Sequence, residues 1–287
     1  MRLAYFPGCK ILYHHKDFGE ASETLMKHLG VTLVCLPFNC CGNPARGKNL
    51  TASVLAAIKN ICMAQEKGLD ILTPCKCCFG QLKHGVHWYT ANKDIREAVD
   101  LALAEEGMVY KSEGLIHDPA TGSLVKRSVK VRHLLDLLFH DIGVEKLEKK
   151  IQHPLPSANI VLQQGCHALR PFAITQFDNP LAPKIFRSLV QATGLKVLDW
   201  SKETECCGDP VTDTHKTMAD KMRQEKQVQA RRAGADYICT ACTHCQIQYE
   251  KGKADLDDIK AVPFAYFLGA ALGLKGTVFA LEEYKKK

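Results

Sequence analysis

Hydrophobic and polar positions along this chain follow two periods that take turns. Short apolar runs read as strands: "RLAYF" (2–6), "VTLVCLP" (31–37), "LDILT" (69–73), "ANIVLQQ" (158–164) and "DYICT" (236–240). Between them, "TASVLAAIKNICMAQEKG" (51–68) and the segment 215–234 carry helical periodicity, and both stop at a glycine. Strands alternating with helices of this length predict an α/β fold with parallel sheets. The tail of 104–139, "KVRHLLDLL" (130–138), reads as an amphipathic helix that closes the first half. "AVPFAYFLGAALGL" (261–274) reads as a buried helix, too short to span a membrane. Met1 is followed at once by a strand-like run rather than a leader, so a soluble, cytoplasmic protein is expected.

The pattern repeats. "YFPGC" (5–9) matches "LQQGC" (162–166), each an apolar strand ending in Gly-Cys. "FNCCGNP" (38–44) matches "ECCGDP" (205–210), and "GLDILTPCKCCFGQ" (68–81) matches "GADYICTACTHCQIQ" (234–248). The leading cysteine and the pair are separated by 30 residues in the first half and 39 in the second. The pair and the next cysteine are separated by 33 and 34. Such order and spacing mark an internal duplication. Each module reads strand, cysteine loop, helix, strand, cysteine loop, helix, strand. The charge run and two prolines of "EKLEKKIQHPLPSANI" (145–160) read as the linker, dividing the chain into modules 1–152 and 153–287.

Composition changes the picture through one residue type. The chain has 287 residues and 14 cysteines, too long and too leaderless for a secreted disulfide scaffold, so grouped thiols point to metal or redox chemistry. The formal charge of +7 argues little for an acidic partner, because thiolates that bind metal cancel most of it. The charged segment 215–236 is most simply a solvated helix face.

In a parallel sheet, sites form beyond the carboxyl ends of the strands. Cys9, Cys75, Cys166 and Cys242 each follow a strand-like run, so each module gathers its cysteines at one edge. Gly42 and Gly208 suit a left-handed turn just after a cysteine pair. Zinc in a structural site and a cubane [4Fe–4S] cluster each take four ligands, whereas each module offers five at repeated positions. The surplus suggests an iron–sulfur centre of unusual ligation. The conventional run C-x-x-C-x-x-C-x-x-x-C-P is absent, so electrons would arrive from another protein.

At these residues the chain resembles a known family. "YFPGC", "NCCG" and "TPCKCCFGQL" in the first module resemble the cysteine-rich CCG domain. So do "QGCHALRPF", "FDNPLAP", "ECCGDP" and "CTHCQIQ" in the second. Over nearly its whole length the chain is similar to the B subunit of heterodisulfide reductase, including the sulfur-oxidation-type members. The resemblance implies two noncubane [4Fe–4S] clusters, one per module, in an α/β architecture of two pseudo-symmetric CCG modules. It assigns one cluster to Cys9, Cys40, Cys41, Cys75 and Cys78, and the other to Cys166, Cys206, Cys207, Cys242 and Cys245. Cys41 and Cys207 would be ligands on the substrate-facing side. The implied activity is an oxidoreductase acting on sulfur groups, interconverting a disulfide and thiols or oxidising a sulfur-bearing thiol between the clusters. The implied partners are a C-like subunit with conventional [4Fe–4S] clusters, an A-like flavoprotein and a substrate that can be protein-borne, as on lipoate. The alternative is an iron–sulfur electron-transfer subunit of a lactate or glycolate oxidation complex; the rival from another class is a structural zinc protein. Kinship of fold does not transfer a substrate.

Four cysteines stand outside the two sets. Cys35 and Cys62 are expected to be buried apolar thiols, and Cys77 and Cys239 to lie inside or beside ligand loops. His167 and His244 abut ligand cysteines and are placed to tune a cluster through hydrogen bonds. Arg46, Lys76, Lys83 and Arg170 would suit an anionic substrate, or simply balance anionic clusters.

Overall fold

The computed structural model describes residues 1–155, 158–251, 259–276 and Phe279. Its strands are β1 (Arg2–Tyr5), β2 (Thr32–Cys35), β3 (Ile71–Thr73), β4 (Gly114–His117), β5 (Leu124–Arg127), β6 (Val131–His133), β7 (Asn159–Gln163), β8 (Lys196–Val197), β9 (Tyr237–Thr240) and β10 (Lys260–Pro263). Its α-helices in the first half are α1 (Cys9–His14), α2 (Lys16–His28), α3 (Leu50–Glu66), α4 (Lys76–Ala91), α5 (Lys93–Glu105), α6 (Leu134–Leu137) and α7 (Val144–Glu148). In the second half they are α8 (Cys166–Leu169), α9 (Phe172–Thr175), α10 (Ile185–Gln191), α11 (Lys216–Arg232), α12 (Thr243–Glu250) and α13 (Phe264–Ala271).

The duplication seen in the sequence is a duplication of topology. One sheet runs β2-β1-β3-β6 and the other β8-β7-β9-β10, every pair parallel. Counted within each module, both orders are 2-1-3-4. The connection from the first strand goes to one side and that from the third to the other, so a crevice opens between the carboxyl ends of those two strands. Cys9 and Cys75 follow the strands flanking the first crevice; Cys166 and Cys242 follow those flanking the second. The antiparallel β4–β5 hairpin belongs, among the described residues, to the first module alone.

The strands are short and almost wholly apolar because both faces are covered: Leu3, Ala4, Ile71, Leu72, Val161, Leu162 and Ile238 are all buried. A single buried apolar cluster runs through both modules, with a smaller one beneath α3 and α5. Asn49 and Asn92 cap α3 and α5 by accepting the N–H of Ala52 and Ile95.

Four details differ from the sequence-based expectation. "KVRHLLDLL" is not one helix: Val131–His133 is β6, paired with β3, and α6 starts only after His133, whose Nδ1 accepts the Leu135 N–H at 3.1 Å. Likewise the apolar run 261–274 begins as β10, and α13 starts after Pro263. Cys35 is exposed rather than buried, because β2 is an edge strand. The start of the expected linker is helical, as α7, and its positions 156–157 lie outside the described residues. Among the described residues no helix is long and apolar enough to cross a membrane.

Candidate metal centre

Each cysteine set is assembled from three loops at one sheet edge. The leading cysteine opens a short helix, α1 or α8. The pair follows the second strand of its sheet and precedes a glycine held left-handed, Gly42 and Gly208, both at φ 91°. The last two cysteines bracket the start of α4 or α12. Cβ on Gly42 would run into the Ser53 carbonyl, so the turn after the first pair needs glycine for space as well as for φ.

All ten sequence-assigned cysteines come together, in one continuous file. Within the first module the Cys9 and Cys40 sulfurs approach to 3.8 Å, and the thiols neighbour one another in the order Cys9, Cys40, Cys41, Cys78, Cys75. Within the second the same order runs Cys166, Cys206, Cys207, Cys245, Cys242. The two files join at their buried ends, where Cys75 meets Cys242. Their outer ends, Cys9, Cys40, Cys166 and Cys206, are partly exposed, and the other six are buried.

The electrostatics repeat as well. Hydrogen bonds from Cys41 and Cys9 hold the Cys40 thiol down to about 2, and bonds from Cys166 and Cys207 do the same for Cys206. The second thiol of each pair is pushed up by the first, Cys207 to about 12. Thiolates this crowded repel one another unless a cation lies among them. Among the described residues no three His, Cys, Asp or Glu side chains converge as a single-ion site. A mononuclear zinc site needs four donors about 2.3 Å from one point, whereas a cluster of several irons takes ligands spread along it. The all-sulfur donor set and its spread therefore fit multi-iron groups better than mononuclear zinc.

The modules face each other across this file. A small cavity is lined by Cys166, Cys206, Cys207, Cys242 and Cys245 together with Asn43 and Cys77 of the first module. His167 and His244 line it too. His244 donates from Nδ1 to Asp209 at 2.5 Å, and Asp209 also accepts from Lys251 at 3.1 Å. Asp209 occupies the place that Asn43 holds in the first module, and His244 the place of Cys77.

Three of the four basic residues expected near the site are committed elsewhere. Lys76 is fully buried, donates to the Gln164 carbonyl, and lies 4.4 Å from the centre of the Phe186 ring. Burial lowers it to about 8 against the pull of nearby thiolates, Cys242 first. Lys83 donates to the Thr175 carbonyl at 2.5 Å, and Arg170 to that of Thr204. Arg46 lies over Trp88, with Cζ 4.7 Å from the ring centre. Cys62, Cys77 and Cys239 are buried.

Sequence reasoning missed two residues. Lys226, in the segment read as a solvated face, points inward beneath the second pair and donates to the carbonyls of Lys202 (2.5 Å) and Glu205 (3.0 Å). Its signal was present: on α11 it shares an inward stripe with Ala219, Arg223 and Ala230. Thr243, from the second module, bonds the Cys75 thiol of the first at 2.9 Å. No periodicity in one chain could reveal that contact.

A duplicated parallel α/β scaffold that delivers two five-thiol sets to facing crevices defines a cysteine-rich α/β protein whose thiols suit a metal cluster. Residues 3–83 and 160–250 each match the model of the CCG cysteine-rich domain, and the chain belongs to that family, carrying the domain twice. Among curated relatives, it is 28% identical to the B subunit of the ferredoxin/F(420)H(2)-dependent CoB-CoM heterodisulfide reductase of Methanosarcina acetivorans, over 98% of this chain and 93% of the relative. It is also 28% identical to a protein of Archaeoglobus profundus described as like the heterodisulfide reductase B subunit, over 89% and 83%. A third relative, at 26% identity over 94% and 92%, is the 8-methylmenaquinol:fumarate reductase membrane anchor subunit of Wolinella succinogenes.

Proposed function

We propose that this protein is the catalytic B-like subunit of a cytoplasmic heterodisulfide reductase-type complex, performing disulfide/thiol redox chemistry at two noncubane [4Fe–4S] clusters. Cys9, Cys40, Cys41, Cys75 and Cys78 would hold one cluster, and Cys166, Cys206, Cys207, Cys242 and Cys245 the other. The observation that carries the reading is the meeting of the two modules at their inner cysteines, where Thr243, next to Cys242, bonds Cys75, and where Cys77 of the first module lines the cavity of the second module's five thiols. The similarity to heterodisulfide reductase B subunits supports it. Clusters bound there would supply electrons in single steps to a reaction that needs two: a disulfide, two electrons and two protons give two thiols.

The chain's own residues do the rest. Buried Cys41, Cys75, Cys78, Cys207, Cys242 and Cys245 keep water from the inner ligands, while the partly exposed outer cysteines leave each set open to solvent or a partner. His167 and His244 place imidazoles on the cavity wall, and the Asp209 bond fixes the ring of His244. Arg46, held on Trp88, brings a permanent positive charge to the first module's cysteine loop. Electrons would come from a C-like subunit with conventional clusters and ultimately from an A-like flavoprotein. The substrate would be a small disulfide, a thiol, or sulfur carried on a lipoate-type arm.

A second reading, an electron relay that never touches sulfur, is favoured by the fumarate reductase relative. One experiment separates the two. Anaerobically loaded protein is expected to hold about eight irons per chain, and its spectrum should change when a candidate disulfide is added. Cys41→Ala and Cys207→Ala should each abolish disulfide turnover by the assembled complex. Stoichiometric zinc, or about four irons, refutes the two-cluster model; a spectrum indifferent to every disulfide supports the relay.

A further inference from the structure

Of the four residues inside the two C-x-x-C motifs, three reach across into the other module, and only His244 bonds within its own, to Asp209. The four are Lys76 and Cys77 in the first module, Thr243 and His244 in the second. Lys76 crosses to the Gln164 carbonyl, beside Gly165 and Cys166, and a Cβ on Gly165 would sit 2.8 Å from its Cδ. Cys77 lines the cavity of the second module's five thiols. Thr243 crosses the other way, with Oγ1 2.9 Å from the Sγ of Cys75.

The exchange is reciprocal in position and unequal in chemistry. When Cys75 is a ligating thiolate it can only accept, so the Thr243 hydroxyl is the donor. The corresponding residue, Lys76, gives its proton to a carbonyl and not to Cys242. Cys75 is therefore a ligand with a cross-module hydroxyl bond, and Lys76 supplies no matching one to its counterpart, Cys242. A donor on a ligating sulfur draws off negative charge and favours the reduced state.

Accepting that the ten thiols hold two clusters, we propose that Thr243 tunes the cluster of the opposite module, raising the potential of the first-module centre above that of the second. The first-module centre is then the one that fills first when electrons arrive. This makes the two halves of a near-symmetric site non-interchangeable, and it does so through one hydroxyl whose contact lies in neither repeat alone.

The test is a redox titration of the iron-loaded chain followed by electron paramagnetic resonance, comparing wild type, Thr243→Val and Thr243→Ser. Valine keeps the shape and removes the donor; serine keeps the donor. One of two waves should move to lower potential in the valine variant by roughly a tenfold change in the reduction equilibrium, about 59 mV for one electron. The serine variant should match wild type. The wave that moves should be the one missing from Cys9→Ala and still present in Cys166→Ala. If the wave that moves is the one missing from Cys166→Ala, or if neither wave moves in an iron-replete valine variant, the proposal is overturned while the two-cluster reading stands. Protein that takes up no iron overturns both. In the Cys166→Ala background, where only the first-module centre is left, the valine change should still lower the remaining wave.

Discussion

Gly42 and Gly208 do the same job with different tolerance. Both are left-handed at φ 91°, where an L side chain costs about 1–2 kcal/mol. At Gly208 an added Cβ would meet the Ala219 carbonyl at 3.0 Å, a contact that a small shift of α11 relieves. At Gly42 it would be driven into the Ser53 carbonyl, and Ser53 is itself fixed, donating from Oγ to the Gly42 carbonyl at 2.9 Å and accepting from Gln81 at 2.8 Å. Gly42→Ala is thus expected to cost at least about 3 kcal/mol, the strain plus a backbone clash, and Gly208→Ala about 1–2. Urea unfolding of the two metal-free variants measures this, and equal losses would contradict it. At this scale the sequence was a good guide to which cysteines come together: a duplicated spacing of cysteines is visible in one chain, because covalent order alone carries it. Thr243 was invisible, since it matters through a partner in the other module, whereas Lys226 had its signal in the inward stripe of α11.

Among the elements, the β4–β5 hairpin has no counterpart among the described residues of the second module, and one buried ion pair ties it down. Arg127 grips Asp70 with both ends of its guanidinium, at 2.7 and 2.8 Å, and the Lys130 N–H completes the carboxylate at 2.8 Å. Asp70 is almost wholly buried at the foot of β3. Removing only the arginine strands a buried charge, so Arg127→Ala should cost about 3–5 kcal/mol. Adding Asp70→Asn should recover part of the loss, which a double-mutant cycle by chemical denaturation would read; a single-variant loss under about 1 kcal/mol, the value of an exposed pair, would refute the tether. The same scale shows where helical periodicity misleads. In "KVRHLLDLL" and "KAVPFAYFLGAAL" the apolar residues suit a helix throughout, yet the first few residues complete a parallel sheet in both modules. Edge pairing to Ile71–Thr73 and Tyr237–Thr240 wins over local preference. Helices begin only where His133 or Pro263 provides a start. Read together, those two segments were a further repeat that neither displayed alone.

As a whole, the molecule is two repeats that have given up part of their independence. Each half has the length of an ordinary domain and its own four-stranded sheet, so separate folding is the default expectation. Four contacts oppose it. Lys76 of the first half is fully buried between Phe177 and Phe186 of the second, with ring centres at 5.6 and 4.4 Å from its Nζ. Phe79 packs on Phe177 at 5.4 Å, and Phe18 of α2 meets Tyr266 of α13 at 6.4 Å. Gln152 and His153, on either side of the boundary we propose, both donate their N–H to the Ala271 carbonyl at 2.9 Å. A fragment 153–287 alone would lose the lysine that packs on Phe177 and Phe186 and leave that apolar face to water. A fragment 1–152 alone would expose Phe18, Phe79 and the inner thiols. The intact metal-free chain should accordingly unfold in one transition, with calorimetric and van't Hoff enthalpies equal. Fragments 1–152 and 153–287 should each fail to give a cooperative melt when made separately, yet form a soluble 1:1 complex when co-expressed. A sharp melt from either fragment by itself would show that the exchanged arms decorate the interface rather than hold it. The outcome bears on chemistry as well as stability, because a site whose cysteines are braced from the opposite module can be assembled only when both halves are in place.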